Sequence, residues 1–187
     1  MPYVVPNIPY SFGSRAGATS VNGTLNPEQD GPISRVGGSI WAYPPLGTIT
    51  VTTSWGFVVG QAPSTASALI VAARGRTTEN GAAYNWGGGY SAANSSIALT
   101  AEEFVNGKFT RSTTTSLPIM HIWTAVIGAQ FHAHEAWPTH TLLMGVGGGA
   151  VYRCWVTANQ WAMCQGIPAY AASRLFFDFY PVFYSWI

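Results

Sequence analysis

Hydrophobic and polar positions alternate in short bursts along most of this chain, and glycine and proline cut one burst from the next. In Gly47–Gly60, Ile49 and Val51 alternate with Thr48, Thr50 and Thr52, the period-two pattern of a half-buried strand. Ser39–Tyr43 reads as a shorter strand closed by Pro44-Pro45, and Ser67–Ala73 as another apolar run. Gly75–Ser96 is polar and glycine-rich and reads as a long loop. Thr100 and Glu103 have the spacing of a capping box, which predicts one helical turn ending at Gly107. The rival reading makes Asn106-Gly107 a tight hairpin turn between two strands.

Further along, Leu117–Phe131, Thr141–Val146 and Ala150–Thr157 are strand-like, the last two separated by Gly147-Gly148-Gly149. Leu175–Ile187 is an aromatic terminal strand, or strand pair, interrupted at Pro181. Residues 1–38 show little periodicity and carry Pro2, Pro6 and Pro9, each of which fixes φ and removes a donor. They read as an extended arm or loops. The expected fold is therefore an all-β antiparallel sandwich or jelly roll spanning 39–187, with an N-terminal arm over 1–38 and at most one short helix. Trp55–Gly60 and Trp123–Gly128 echo one another, which either two related sheet halves or chance likeness between strands accounts for.

Composition narrows the function. The 187 residues suffice for one core, and 48% are hydrophobic, so the chain is not disordered. Only 8% are charged, against roughly 25% in ordinary soluble proteins. Such a surface must rely on Ser, Thr, Asn and Gly or be covered by neighbours. The net charge of +1 comes with scattered basic residues, so no phosphate-neutralising stripe exists and no nucleic-acid partner is expected. The first residues lack the basic and apolar regions of a secretory signal, and no apolar run is long enough for a membrane-spanning helix. A composition suited to the outside, without an export signal, fits a particle released by lysis.

The candidate chemistry is sparse. Tyr84, Asn85, Trp86 and Tyr90 sit in a Gly-rich loop over 83–90, where flat aromatic faces suit sugars or a protein partner. The plainer account is that Trp86 plugs a core. His132 and His134 share one strand face and can reach one metal, with His140 returning after Trp137-Pro138; a polar strand end or a subunit contact explains the same residues. If Ala158-Asn159-Gln160 forms a hairpin loop, Cys154 falls opposite Cys164, and either a disulfide or a reduced buried pair results. The tail residues Phe176, Phe177, Phe179, Tyr180, Phe183, Tyr184 and Trp186 are too apolar to stand exposed and are expected to form an assembly interface. No nucleophile elbow or spaced carboxylate pair appears, so neither an enzyme nor a cofactor is expected. These readings together predict a virion surface component, most simply from a bacteriophage: a decoration protein, small capsid subunit or fibre tip. Its expected partners are copies of itself, as a trimer, and other virion proteins. The alternative is a carbohydrate-binding sandwich that uses loop 83–90, and the two meet in a particle that recognises a host-surface glycan.

Overall fold

A computed structural model describes residues 10–21, 23–26, 34–125 and 127–187. Their strands are β1 (Tyr10–Val21), β2 (Gly23–Asn26), β3 (Ser34–Ala42), β4 (Leu46–Gln61), β5 (Ala68–Asn85), β6 (Tyr90–Val105), β7 (Lys108–Thr124), β8 (Gly128–Ala136), β9 (Thr139–Gly145), β10 (Val151–Gln165) and β11 (Ala169–Trp186). They form two antiparallel sheets. One has the order β1-β4-β10-β6-β7; the other runs β2-β3-β11-β5-β8, with β9 pairing on the far half of β5. The sheets face each other as a β-sandwich.

Alternation puts the core where it belongs. On β10, Tyr152, Cys154, Val156, Ala158, Gln160, Ala162 and Cys164 all point inward and are buried. Leu175, Phe177 and Phe179 do the same on β11, and Leu69, Val71 and Ala73 on β5. The interior falls into two apolar clusters. The larger contains Phe57, Tyr152, Phe177 and Phe179. Half of the smaller is alanine, namely Ala42, Ala83, Ala93, Ala162, Ala169 and Ala171, and Ile40, Ile49, Val51, Met120, Ile122 and Cys164 make up the rest. Buried polar groups lie along the inner faces as well: Thr53 Oγ1 accepts from the Gly37 N–H at 2.6 Å, and Gln160 Nε2 donates to the Gly38 and Ser173 carbonyls at 3.0 and 3.3 Å.

Four local expectations change. The segment 75–96 is strand on both sides of a short turn, not a loop. Gly75 and Gly81 mislead because they mark close packing: a Cβ would sit 2.1 Å from the Asp178 carbonyl oxygen or 2.3 Å from Met120 Sδ. The capping-box turn is absent, and β6 runs straight into a hairpin. Asn106 and Gly107 have φ of 51° and 76°, the left-handed pair that a two-residue turn requires. Ala158-Asn159-Gln160 makes no hairpin either, because β10 passes through it unbroken and Asn159 is tied on the outer face to Thr52 at 3.1 Å. Finally, the 38/39 boundary falls inside β3. Tyr10–Val21 pairs along β4 and Gly23–Asn26 pairs with β3, so these parts of the expected arm are edge strands. Residues 1–9 lie outside the described residues.

Candidate functional site

The outer face of the β3-β11-β5-β8 sheet collects aromatic side chains above the alanine-rich cluster. Strand register sets the arrangement. Tyr170 pairs with Tyr84, and Tyr43 follows Ala42, the partner of Ala171, so three tyrosines stand in a row across β3, β11 and β5. The Tyr43 and Tyr170 rings are 6.5 Å apart, and Tyr84 lies 5.9 Å from Trp86. The next row runs Trp41, Ala172, Ala82, Phe131. Small residues form its floor and large rings its two sides, about 14 Å apart for three inter-strand spacings. Trp41 is hydrogen-bonded to Tyr170, whose hydroxyl is pushed up in pKa by burial and by the neighbouring Tyr43. The third row is Ser39, Arg174, Asn80. A groove of about 270 Å³ lies over these rows, lined by Ser39, Trp41, Asn80, Ala82, Ala172 and Arg174. Phe131, at the end of the second row, keeps 77% of its surface, and Trp86, beside Tyr84, keeps 53%.

The turn that carries Trp86 is held from below. Asn85 is fully buried, and its Oδ1 accepts from the Gly87 and Gly89 N–H groups at 3.1 and 3.2 Å. Trp86 N–H donates to the Pro168 carbonyl at 3.0 Å. A Cβ on Gly89 would come within 1.8 Å of the Gln165 carbonyl oxygen, so the glycine lets the turn lie against the chain itself rather than against a ligand. Of the loop residues expected to bind, Tyr84 and Trp86 reach the aromatic face, Asn85 fixes the turn, and Tyr90 lies on β6 of the opposite sheet, on its outer face.

The histidines do not converge on one ion. His132 Nε2 and His134 Nδ1 both hydrogen-bond Glu79 Oε1, at 2.9 and 3.1 Å, and thereby tie β8 to the buried carboxylate on β5. His140 is elsewhere, and donates to the Thr115 carbonyl at 2.9 Å. Among the described residues no group of three His, Cys, Asp or Glu is set to hold a metal. Cys154 and Cys164 are free and buried on one strand, ten positions and so about 33 Å apart. Burial pushes the Cys154 thiol up to about 12 and raises that of Cys164.

The aromatic tail is a central strand. Phe177 and Phe179 are core, and Tyr184 and Trp186 pack half-buried on the larger cluster, the Trp186 ring 5.5 Å from Tyr152. Phe183 is half-buried too, and the Tyr180 side chain lies outside the described residues. Phe176 points outward yet is covered, because the guanidinium groups of Arg35 and Arg174 lie over its ring at 5.0 and 5.1 Å. These rings are packed within their own chain, since β11 sits between β3 and β5 and must fill both sides of the sheet.

A second polar cluster closes the far end. Glu103 accepts from Tyr152, from Thr110 at 2.8 Å and from Arg111 at 2.9 Å. The Arg111 guanidinium does most to hold the Glu103 carboxyl down, at about 2, with the Tyr152 and Thr110 bonds adding to it and burial opposing. The arrangement joins β6, β7 and β10, and every group in it is used in packing.

No protein-family model matches the chain, and no curated protein does. Among solved structures, it is similar to the enzymatically active domain of tailspike protein 4 from bacteriophage CBA120, with 13% identity and a TM-score of 0.35. That match covers 94% of this chain but 20% of the tailspike chain, so this protein spans about a fifth of its length. A family 35 carbohydrate-binding module from Clostridium thermocellum is 12% identical at a TM-score of 0.28, covering 96% and 97% of the two chains. A family 11 carbohydrate-binding module of a cellulosomal cellulase from the same organism is 10% identical at 0.28, covering 95% and 96%. Scores this low carry no argument, and the sandwich stands on its strand pairings.

Sequence reasoning missed Trp41, Tyr43, Tyr170, Phe131 and Arg174. One signal was available: Trp41 and Tyr43 are two apart on a strand and so share a face. Their company with Tyr170 and Tyr84 depends on strand order, which periodicity does not contain.

Proposed function

We propose that this chain is a carbohydrate-binding β-sandwich that acts by contact rather than catalysis, with the outer face of the β3-β11-β5-β8 sheet as its binding surface. The observation that carries this reading is the row of Tyr43, Tyr170 and Tyr84 beside an open groove lined by Trp41, with Phe131 in the same register row as Trp41. Sugar rings present flat C–H faces, which pack on aromatic rings, and hydroxyls, which need a few polar groups nearby. Ser39, Asn80 and Arg174 supply those groups in the adjacent row.

The test is affinity electrophoresis against a panel of soluble polysaccharides. The wild-type protein is retarded by at least one of them. The double variant Tyr84→Ala/Tyr170→Ala migrates freely while its unfolding midpoint stays within a few degrees. Retardation unchanged in the double variant contradicts the reading.

A second reading, a virion surface component held by contacts between subunits, is supported by a separate feature. Trp137 and Leu143 are 67% and 63% exposed on a chain with very few charges. Burial of these two side chains against a second copy would give a trimer in solution, measured by light scattering during size exclusion. A monomer that persists at high micromolar concentration removes it.

A further inference from the structure

Four connections meet at the end of the sandwich beside the smaller cluster. They are 43–45 between β3 and β4, 86–89 between β5 and β6, the link from Thr124 to Gly128 between β7 and β8, and 166–168 between β10 and β11. Register brings them together: Gln165 pairs with both Leu46 and Tyr90, and Asn85 with both Ala169 and Gly128. The chain segments that contain them, 36–73, 80–101, 112–131 and 154–173, have no Asp, Glu, Lys or Arg. The hairpin at the opposite end leads instead straight into Lys108 and Arg111. Surface turns normally carry small polar residues. These carry large apolar ones at solvent: Leu46 keeps 48% of its surface, Ile127 61% and Ile167 68%, with Trp86 and Tyr43 exposed beside them.

The backbone of this tip is satisfied from within. Trp86 N–H donates to the Pro168 carbonyl at 3.0 Å and Gly166 N–H to the Pro45 carbonyl at 2.8 Å, which ties three of the turns to one another. Asn85 Oδ1 takes the N–H groups of Gly87 and Gly89. Pro44, Pro45 and Pro168 have no N–H to satisfy. Seven of the ten positions in 43–45, 86–89 and 166–168 therefore have no N–H left to offer. The turns also touch, since a Cβ on Gly87 would come within 2.1 Å of the Ile167 carbonyl oxygen. A protein partner is held by about one hydrogen bond per 100–200 Å² as well as by apolar contact. A hydrocarbon layer asks for no donors, and it excludes charges and backbone groups that the protein leaves unpaired. Apolar tips, turns without charge and a bonded backbone match the hydrocarbon layer.

We infer that this end of the sandwich docks on a lipid surface. Leu46, Ile127 and Ile167 enter the outer acyl region of a bilayer of zwitterionic phospholipid, and Tyr43 and Trp86 lie at the headgroups, where amphipathic rings are favoured. The contact is peripheral and is held by apolar burial at the interface. It does not depend on the carbohydrate reading, because Leu46, Ile127 and Ile167 line no part of the groove.

Flotation with vesicles of phosphatidylcholine alone, free of glycan and of anionic lipid, tests it. The wild-type protein floats with the vesicles. Raising salt from about 0.1 to 1 M, which shortens the Debye length from ~10 to ~3 Å, does not release it. Leu46→Ser and Ile167→Ser each weaken partitioning by about tenfold or more, the effect of withdrawing one large apolar side chain from the layer. Leu143→Ser, at a position on β9 as exposed as these but toward the other end, leaves partitioning unchanged. A wild-type protein that stays with the buffer overturns the inference, and so does release by salt. An equal loss in Leu143→Ser overturns it too, by making the binding general adhesion. Self-association that is lost in Ile167→Ser, with no flotation of the wild type, assigns the tip to a second copy of the chain and overturns the lipid contact. The salt series is read on the wild-type protein, so a variant that folds poorly does not decide the matter. Retardation by polysaccharides is measured without lipid, so either reading can fail while the other stands.

Discussion

The two ends of the sandwich use their aromatic residues in opposite ways. At one end Phe57, Tyr152, Phe177 and Phe179 fill the space between the sheets. At the other the space holds no aromatic ring and half of its cluster is alanine, while Tyr43, Tyr84, Trp86 and Tyr170 stand on the outside. Large rings normally stabilise a fold by burial, so rings placed outside an alanine core are available for something else. The first end is built for stability, and the proposed function gives the second to contact.

Substitution at the first end has the largest expected effect. Phe177→Ala empties a fully buried site and should cost about 3–5 kcal/mol, read as a lower denaturant midpoint. By the same scale, Tyr170→Ala at the contact end should cost well under half of that. Equal losses at the two positions would erase the distinction between the ends.

Next in size is the Glu103 cluster. Glu103→Ala leaves the buried Tyr152 hydroxyl without its acceptor and should cost about 1–3 kcal/mol. It also predicts a pH dependence. The folded carboxyl titrates near 2, below its ordinary 4.5, so the stabilisation is complete above pH 4.5 and disappears as pH falls toward 2. Thermal unfolding followed across that window should show a steeper decline in the wild-type protein than in Glu103→Gln. Parallel curves would mean that another carboxylate governs acid sensitivity.

The smallest effect concerns the cysteines, one in each cluster. With both thiols buried and raised in pKa, neither should react with an aromatic disulfide reagent until the chain unfolds, and then both should react. A protein that releases no thiol on denaturation would be oxidised, which one continuous β10 does not allow.

Much of the fold was legible in residue order, because period-two alternation is local. Ile49 and Val51 announce β4, and the Gly147–Gly149 break separates β9 from β10. The errors share a cause. Gly75, Gly81 and the Ala158-Asn159-Gln160 segment look like loop chemistry. They occur inside strands because the interior contains polar groups such as Gln160 and close approaches such as Gly75 to β11. Half of the proposed binding surface was legible as Tyr84 and Trp86 in a Gly-rich segment. The other half comes from β3, β8 and β11, brought together with β5 by pairings between residues far apart in the chain, such as Trp41 with Ala172 and Ala82 with Phe131.

The measurement that tests the contact surface most directly is a heteronuclear spectrum of the eight tryptophan indoles during titration with a retained polysaccharide fragment. Trp41 and Trp86 belong to the groove-bearing face, whereas Trp155 lies on the opposite sheet, where its indole donates to Glu102 at 2.9 Å. The account predicts that the Trp41 and Trp86 resonances shift with ligand and that Trp155 stays in place. Movement of Trp155 with Trp41 and Trp86 unchanged would put the binding surface on the other side of the sandwich and contradict it.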